Sequence, residues 1–298
     1  MSATTVGYDD CVELPFGSAA YWKAFAKSIP VGVWIAIVLV TLFVIAAVAP
    51  GVLESQSPAA QDLTSSLGAP SLSHLFGTDQ LGRDEFSRVV AGTGQSVIIG
   101  LVATGIAVVA AIALGLAAGL GGRWADAIVS RLLEVLFSFP ILLLALLILT
   151  IFGASLSTEI AAVAIGTAPG YARMLRGQLV AVRDAGYVEA ARAVGHPYGR
   201  IVSQHIFPNA IRPLVSLYTL GIGQSVIWAS GLSFLGVGPP PNSPDWGTLL
   251  YAGRDYVSAA WWLEVAPGFV IVVLAVSVTV IGRHLQDRLE GRVRVSAG

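Results

Sequence analysis

Lys23 and Lys27 are the only lysines in the 298-residue chain, and neither follows a glycine. A phosphate-gripping Walker A loop needs Gly-x-x-x-x-Gly-Lys-Ser/Thr, with the lysine reaching the phosphates, so this chain does not bind ATP by that device. His74, His196, His205 and His284 all fall outside the centres of the apolar runs, and no His-Glu-x-x-His spacing occurs. Hydrolysis of a peptide within a membrane would need a serine–histidine pair or paired membrane aspartates there. A single cysteine, Cys11, excludes an internal disulfide and a cysteine-based metal cluster. Ion-coupled carriers place carboxylates or histidines near the bilayer midplane. Here Glu134, Glu159 and Glu264 stand near the ends of apolar runs, where they are expected to reach interfacial water. The sequence therefore offers no catalytic, cofactor-binding or metal-binding residues. Energy for active transport must come from a partner; the other classes left open are a passive channel and a structural membrane protein.

The residues that remain must be placed by elements made for lipid. Only 12% of the chain is charged and 55% is apolar, with mean hydropathy +0.76, whereas soluble domains carry about 25% charge. The net charge of −1 says nothing until it is divided by position. Residues 1–30 carry Asp9, Asp10 and Glu13 rather than a basic start, so no cleavable signal peptide is expected. Apolar runs cover residues 31–49, 97–120, 135–151, 160–172, 214–237 and 265–282. The fourth has only 13 residues, about 20 Å as a helix against a hydrocarbon core of about 30 Å.

The basic residues decide whether it crosses. With six spans and the N-terminus inside, 14 basic residues fall on the inner side, and only Arg83, Arg88 and Arg254 lie outside. Without the fourth span, the arginine-rich segment moves outside and the positive-inside bias vanishes. The expectation is thus an all-α polytopic protein with six transmembrane helices, the fourth starting near Leu156 and kinked at Pro169. Residues 1–30 form a cytoplasmic tail, 31–50 the first span and 51–95 an extracytoplasmic segment. Residues 96–283 form a five-helix core that includes the cytoplasmic loop 173–212, and 284–298 a cytoplasmic tail.

Local signals refine this picture. Gly115 and Gly119 make a small-xxx-small pair that reads either as close helix contact or as flexibility. Gly121-Gly122 should end the second span. Trp261 and Trp262 stand where aromatic rings settle at a membrane interface, and Pro239-Pro240-Pro241 with Pro244 marks an extended outer loop. Asp79, Arg83, Asp84, Glu85 and Arg88 either meet an external partner or form a local ion-paired cap. As an exposed cap they would contribute about 0 to 1 kcal/mol per pair.

The most informative stretch is the inner loop. Residues 187–195 read as a short helix stopped at Gly195, with Pro197 beyond it. A second amphipathic stretch, 198–207, should end at Pro208-Asn209. The first helix suits either a groove on a soluble protein or the lipid surface.

Three motifs carry a resemblance. Glu189-Ala190-Ala191, then Gly195, then His205-Ile206-Phe207-Pro208-Asn209 resembles the EAA loop of bacterial ABC importer permeases. Phe76-Gly77-Thr78-Asp79-Gln80-Leu81-Gly82-Arg83-Asp84 with Ser87-Arg88 is similar to the segment before the second span in the C-type permease of dipeptide, oligopeptide and nickel importers. Ser233-Phe234-Leu235-Gly236-Val237-Gly238 with Pro240 and Trp246-Gly247 is similar to that family's fifth span and outer loop. Glu134 stands where the family often has aspartate, and Gly170 where bulkier residues are common.

The resemblance implies the type I ABC importer permease fold in a bacterial inner membrane. It implies half of a pore for dipeptides or oligopeptides, with nickel or another small polar solute as the alternative cargo. Its partners would be a second permease subunit, two ABC ATPase subunits that hold ATP and Mg, and an extracytoplasmic substrate-binding protein. Glu189, Ala190, Ala191, Gly195, His205, Pro208 and Asn209 would couple to the ATPase, and Asp79, Arg83, Asp84, Arg88 and Trp246 are candidates for extracytoplasmic contacts.

Overall fold

The structure is a computed structural model that describes residues 29–238 and 243–289. Cys11, Lys23, Lys27, the three consecutive prolines from Pro239, and Arg292 and Arg294 lie outside the described residues. The regular elements among them are helices, while residues 53–84 are largely turns and bends with one antiparallel bridge between Thr78 and Asp84. α1 is Val31–Val48, α2 Glu85–Leu120, α3 Gly122–Ser138, α4 Ile141–Phe152 and α5 Leu156–Arg183. α6 is Gly186–Ala193, α7 Tyr198–Ile201 and α8 Phe207–Ala210, with a π-helical turn Val202–Ile206 between the last two. α9 is Arg212–Phe234, α10 Trp246–Gly253 and α11 Trp262–Leu289.

By length and composition α1, α2 and α11 can each cross a bilayer, and α3 with α4 would make a fourth crossing if counted as one broken span. The expected third span, residues 135–151, is not one helix but straddles a 90° bend between α3 and α4. Pro140 disfavours a helical conformation at the residue before it, and Phe139 is extended at φ −86°, ψ 132°. α4 has 12 residues, about 18 Å of helix, so it does not span a bilayer alone. The fourth helix does begin at Leu156, where the Ser155 side chain accepts from the Thr158 N–H, and it runs unbroken through Pro169.

α2 lies along α5, and α9 packs between α2 and α11 while α1 rests on α11. The α2–α5 contact explains the glycine pair: a methyl on Gly115 would sit 2.9 Å from Leu175, and one on Gly119 2.9 Å from Leu179. Close approach, not flexibility, is its role. Gly121 caps α2 and Gly122 turns the chain at φ +82°. Across the α2–α9 seam the Thr104 and Ser225 hydroxyls bond at 2.9 Å. One apolar cluster, including Val226, Trp246, Leu249 and Leu274, ties α9, α10 and α11 together.

Segment 49–84 and the start of α2 form a cap whose charges turn inward. Asp79 Oδ1 accepts from the backbone N–H groups of Leu81 at 2.8 Å and Arg83 at 2.9 Å. Its Oδ2 pairs with Arg83 Nε at 2.6 Å and Arg88 Nη1 at 2.7 Å. Glu85 lies 3.5 Å from the same Arg88 nitrogen. Asp84 caps α2 through Ser87 N–H at 2.9 Å and also bonds Ser55 at 3.0 Å and His74 at 3.0 Å. Burial alone would raise the Asp84 pKa, but the Ser87, His74 and Ser55 hydrogen bonds outweigh it and hold the carboxyl below its ordinary value.

Two expectations change. The cap pairs are buried rather than exposed, with Asp79, Asp84, Glu85 and Arg88 at most 4% accessible, so the estimate for surface pairs does not apply. Trp262 is no interfacial anchor: it is buried, and its Nε1 donates to the Thr78 carbonyl at 3.2 Å, which fastens α11 to the cap. Trp261 beside it stays exposed.

Removing one partner of a buried pair strands the other charge, at a cost of about 3 to 5 kcal/mol. Asp79→Ala should therefore lower stability by that amount in unfolding of the detergent-solubilised protein, whereas Arg254→Ala, which breaks the exposed pair with Asp255, should change it by less than about 1 kcal/mol. Overfilling the α2–α5 seam with Gly115→Leu should cost about 1 to 3 kcal/mol. Gly105→Ala, which meets only Tyr218 at 3.9 Å, should be near neutral in the same measurement. Because the Asp84 pKa is depressed in the fold, its contribution is present above the unfolded value of about 3.9. It should disappear only as pH falls below that value, visible as an acid-induced loss of cap protection in hydrogen exchange.

Candidate coupling loop

The chain leaves α5 at Arg183, reverses through α6 to α8, and re-enters the bundle as α9. α6 has eight residues, too few for stability alone in water; what holds it is packing. Val188 and Ala191 turn inward and join Ile201, Ile206, Ala210 and Leu214 around Leu175 and Leu179 of α5. Val188, Leu179 and Ile206 have no accessible surface. One continuous core thus joins the loop to the inner ends of α5 and α9.

The opposite face is left open. Glu189, Ala190, Arg192 and Ala193 are exposed, and Tyr187, Val194 and Tyr198 add bulky exposed groups at 48%, 78% and 54% accessibility. The result is a small-faced helix ringed by larger side chains. Arg192 Nη2 donates to the Arg183 carbonyl at 3.2 Å, closing the entrance to the loop.

Gly195 ends α6 as expected. Its φ is +85°, its N–H donates to the Arg192 carbonyl at 2.9 Å, and the His196 N–H reaches the Ala191 carbonyl at 3.2 Å. This is the Schellman closure, which glycine adopts without the Cβ penalty of other residues. No atom lies near enough to touch an added methyl, so the demand for glycine is conformational.

The second stretch differs from expectation. It does not end at Pro208-Asn209, because helix continues through Ala210 and α9 starts at Arg212. Proline inside a helix clashes with the carbonyl four residues back. The chain avoids this by widening to a π turn, in which the Phe207 N–H bonds Val202 O. Asn209 Nδ2 then caps the His205 carbonyl at 2.7 Å, and the His196 and His205 rings lie 6.5 Å apart.

The predicted residues therefore divide into three places. Glu189, Ala190, Ala191, Gly195, His205, Pro208 and Asn209 all fall in this one substructure, with Ala191 buried in its core and Glu189 and Ala190 on its open face. Asp79, Arg83, Asp84 and Arg88 meet in the cap, with Arg83 partly accessible and the others turned inward. Trp246 is fully buried, and its Nε1 donates to Val89 O at 2.9 Å. Those four buried side chains hold the cap and bundle together and present no surface to a partner here.

Two other features went unread in the sequence. Arg176 grips Asp126 with two bonds of 2.5 and 2.8 Å, tying α3 to α5 just above the loop. Glu159, expected in interfacial water, is instead fully buried and accepts from Ser233 at 3.0 Å, linking α5 to α9. Among the described residues no three His, Cys, Asp or Glu side chains cluster to hold a metal ion.

The architecture has known counterparts. A crystal structure of an amino acid ABC transporter superposes with TM-score 0.54 at 21% identity, covering 69% of this chain and 94% of that one. The MetNI methionine ABC transporter, in an inward-facing form, gives TM-score 0.56 at 20% identity over 67% and 95%. These establish the fold. In sequence the chain is 35% identical over 260 residues to the dipeptide transport system permease protein DppC of Alkalihalophilus pseudofirmus, covering 87% of this chain and 86% of that one. It is 36% identical to the probable D,D-dipeptide transport system permease protein DdpC of Escherichia coli, over 92% and 91%. The glutathione transport system permease protein GsiD of Pectobacterium atrosepticum is 35% identical over 76% and 75%. Residues 111–295 match the family described as the binding-protein-dependent transport system inner membrane component. On this match and these relatives, the chain belongs to the binding-protein-dependent transport system inner membrane components, the permease subunits of ABC importers.

Proposed function

We propose that this permease forms half of the translocation path for dipeptides or short oligopeptides, paired with a second permease subunit in the bacterial inner membrane. Its relatives named for dipeptide and glutathione transport support that substrate class. α1, α2, the bent α3–α4 pair, α5, α9 and α11 make six crossings, with both termini in the cytoplasm. The positive-inside count is the support for that orientation. A substrate-binding protein delivers cargo at the side of the cap. ATP and Mg reside on two ATPase subunits, and this chain catalyses no reaction of its own.

The observation that carries the proposal is the shared core of the loop with α5 and α9. A lever transmits motion only if it cannot flex at its base. With Val188, Ile201 and Ile206 locked against Leu175 and Leu179, displacement of α6 must carry both long helices as rigid bodies. The exposed Glu189–Ala190 face seats in the ATPase, with Glu189 as its polar anchor. ATP-driven closure of the ATPases moves the seated helices, and the path opens outward; hydrolysis resets it. Uptake of labelled dipeptide by the reconstituted transporter, dependent on ATP and binding protein, is the direct test.

Gly195→Val isolates the coupling step. A β-branched residue at φ +85° costs at least about 1 to 2 kcal/mol, which the chain relieves by unwinding the turn and slackening the lever. The variant should insert normally yet lose ATPase stimulation by loaded binding protein. Full stimulation would remove Gly195 from the mechanism.

A further inference from the structure

Between the α3–α4 break and the facing sides of α5 and α9 lies a cavity of ≈ 290 Å³, near the lower end of the roughly 300 to 1,000 Å³ range of small-ligand sites. Thr167 and Tyr171, one turn apart on α5, face Gln224 and Trp228, one turn apart on α9, and Phe137 and Phe139 supply an apolar side.

Its polar groups are unusually free. Thr167 is satisfied by the Val163 carbonyl at 2.9 Å. The Tyr171 hydroxyl and Trp228 Nε1 are buried without a hydrogen-bond partner, and Tyr171 as a residue is only 9% accessible. Gly221 backs that hydroxyl so closely that a methyl there would lie 2.5 Å from it, so nothing on that side can pair with it. Gln224, midway along α9, is exposed, and no hydrogen bond joins it to the described residues.

An N–H or O–H walled off without a partner is costly and rare. Two such groups beside one cavity, with the exposed and unpaired Gln224 amide at its side, call for a ligand that supplies the missing bonds. No carboxylate, imidazole, ammonium or guanidinium lines the space. The nearest guanidinium on the Phe137 ring, that of Arg173, stacks at 4.6 Å from its centroid and is not part of the lining. A formal charge finds no counter-ion here. A neutral amide suits the space: the Gln224 amide offers an acceptor and a donor, and Trp228 N–H and Tyr171 O–H, enclosed in this state, become donors to a carbonyl when their rings turn toward it.

We propose that Tyr171, Gln224 and Trp228 form a contact station on the solute path that hydrogen-bonds the neutral amide groups of a passing peptide. This deepens the peptide-import reading and rests on it. The station is distinct from the loop, so its loss should spare coupling. In the complete transporter in proteoliposomes, Gln224→Leu should lower uptake of labelled dialanine about three- to tenfold, the range expected for one uncharged hydrogen bond. Stimulation of ATPase by loaded binding protein should stay within about twofold, and Gln224→Asn should recover part of the uptake. Trapping supplies a second readout that does not depend on a variant's activity. A photoreactive p-benzoylphenylalanine replacing Gln224 should capture the labelled peptide during turnover, and the same residue replacing the exposed Val215 should not.

If the unmodified transporter takes up no peptide, the peptide reading falls and the station with it. If it takes up dialanine while Gln224→Leu and Trp228→Phe match it, and position 224 captures nothing, the station alone is overturned.

Discussion

The apolar contact between the α6–α8 loop and the inner ends of α5 and α9 is the constraint on which the rest depends. Leu175 and Leu179 sit at the base of two structures at once. Their outer sides meet Gly115 and Gly119 of α2, and they also enclose Val188, Ile201 and Ile206 of the loop. Side chains packed at the density of an organic crystal do not deform gradually. Motion delivered to the loop therefore reaches α5 and, through the glycine seam, α2. The Arg176–Asp126 fork extends the same rigid unit to α3, whose far end bends at Pro140 and borders the cavity.

The opposite end of the molecule solves a different problem. Charges are costly in apolar surroundings unless they are paired and hydrogen-bonded. The cap places Asp79 between Arg83 and Arg88 and spends its second oxygen on two backbone N–H groups. The Phe76–Asp84 motif is therefore a folding device: Gly77 and Gly82 take positive φ, and Asp84 starts α2. Because Trp262 bonds Thr78, the start of the last helix is set by the same turn. The cap thus fixes the helices at the end opposite the loop, which is what the proposed lever requires.

Much of this was legible in the residues, for reasons that are local. Leu156 starts its helix because Ser155 can cap it, and Gly195 stops α6 because only a positive φ completes the closure there. What escaped was direction. Hydropathy counted residues 135–151 as one crossing, since the sum over a window does not register a right-angle turn at Pro140. The carboxylate of Glu159 stands near a helix end in sequence, yet Ser233, 74 positions away, makes burial tolerable. The cap charges looked solvated because their alternation of sign does not say which way they point. Gln224, Tyr171 and Trp228 are neutral hydrogen bonders in apolar helices, so neither charge nor hydropathy marks them in the sequence.

The central claim is that the loop's open face is a rigid contact for the ATPase. Cross-linking in the assembled transporter tests it most directly, with Cys11 replaced by serine so that the introduced thiol is the only one in this chain. The account predicts that a cysteine replacing Ala190, on the open face, cross-links efficiently to the nucleotide-hydrolysing subunit, while one replacing Ala191, turned into the core, cross-links poorly. Equal capture at both positions would contradict a rigid base. Capture of Ala190→Cys only by the external binding protein, or by no subunit at all, would contradict the contact itself.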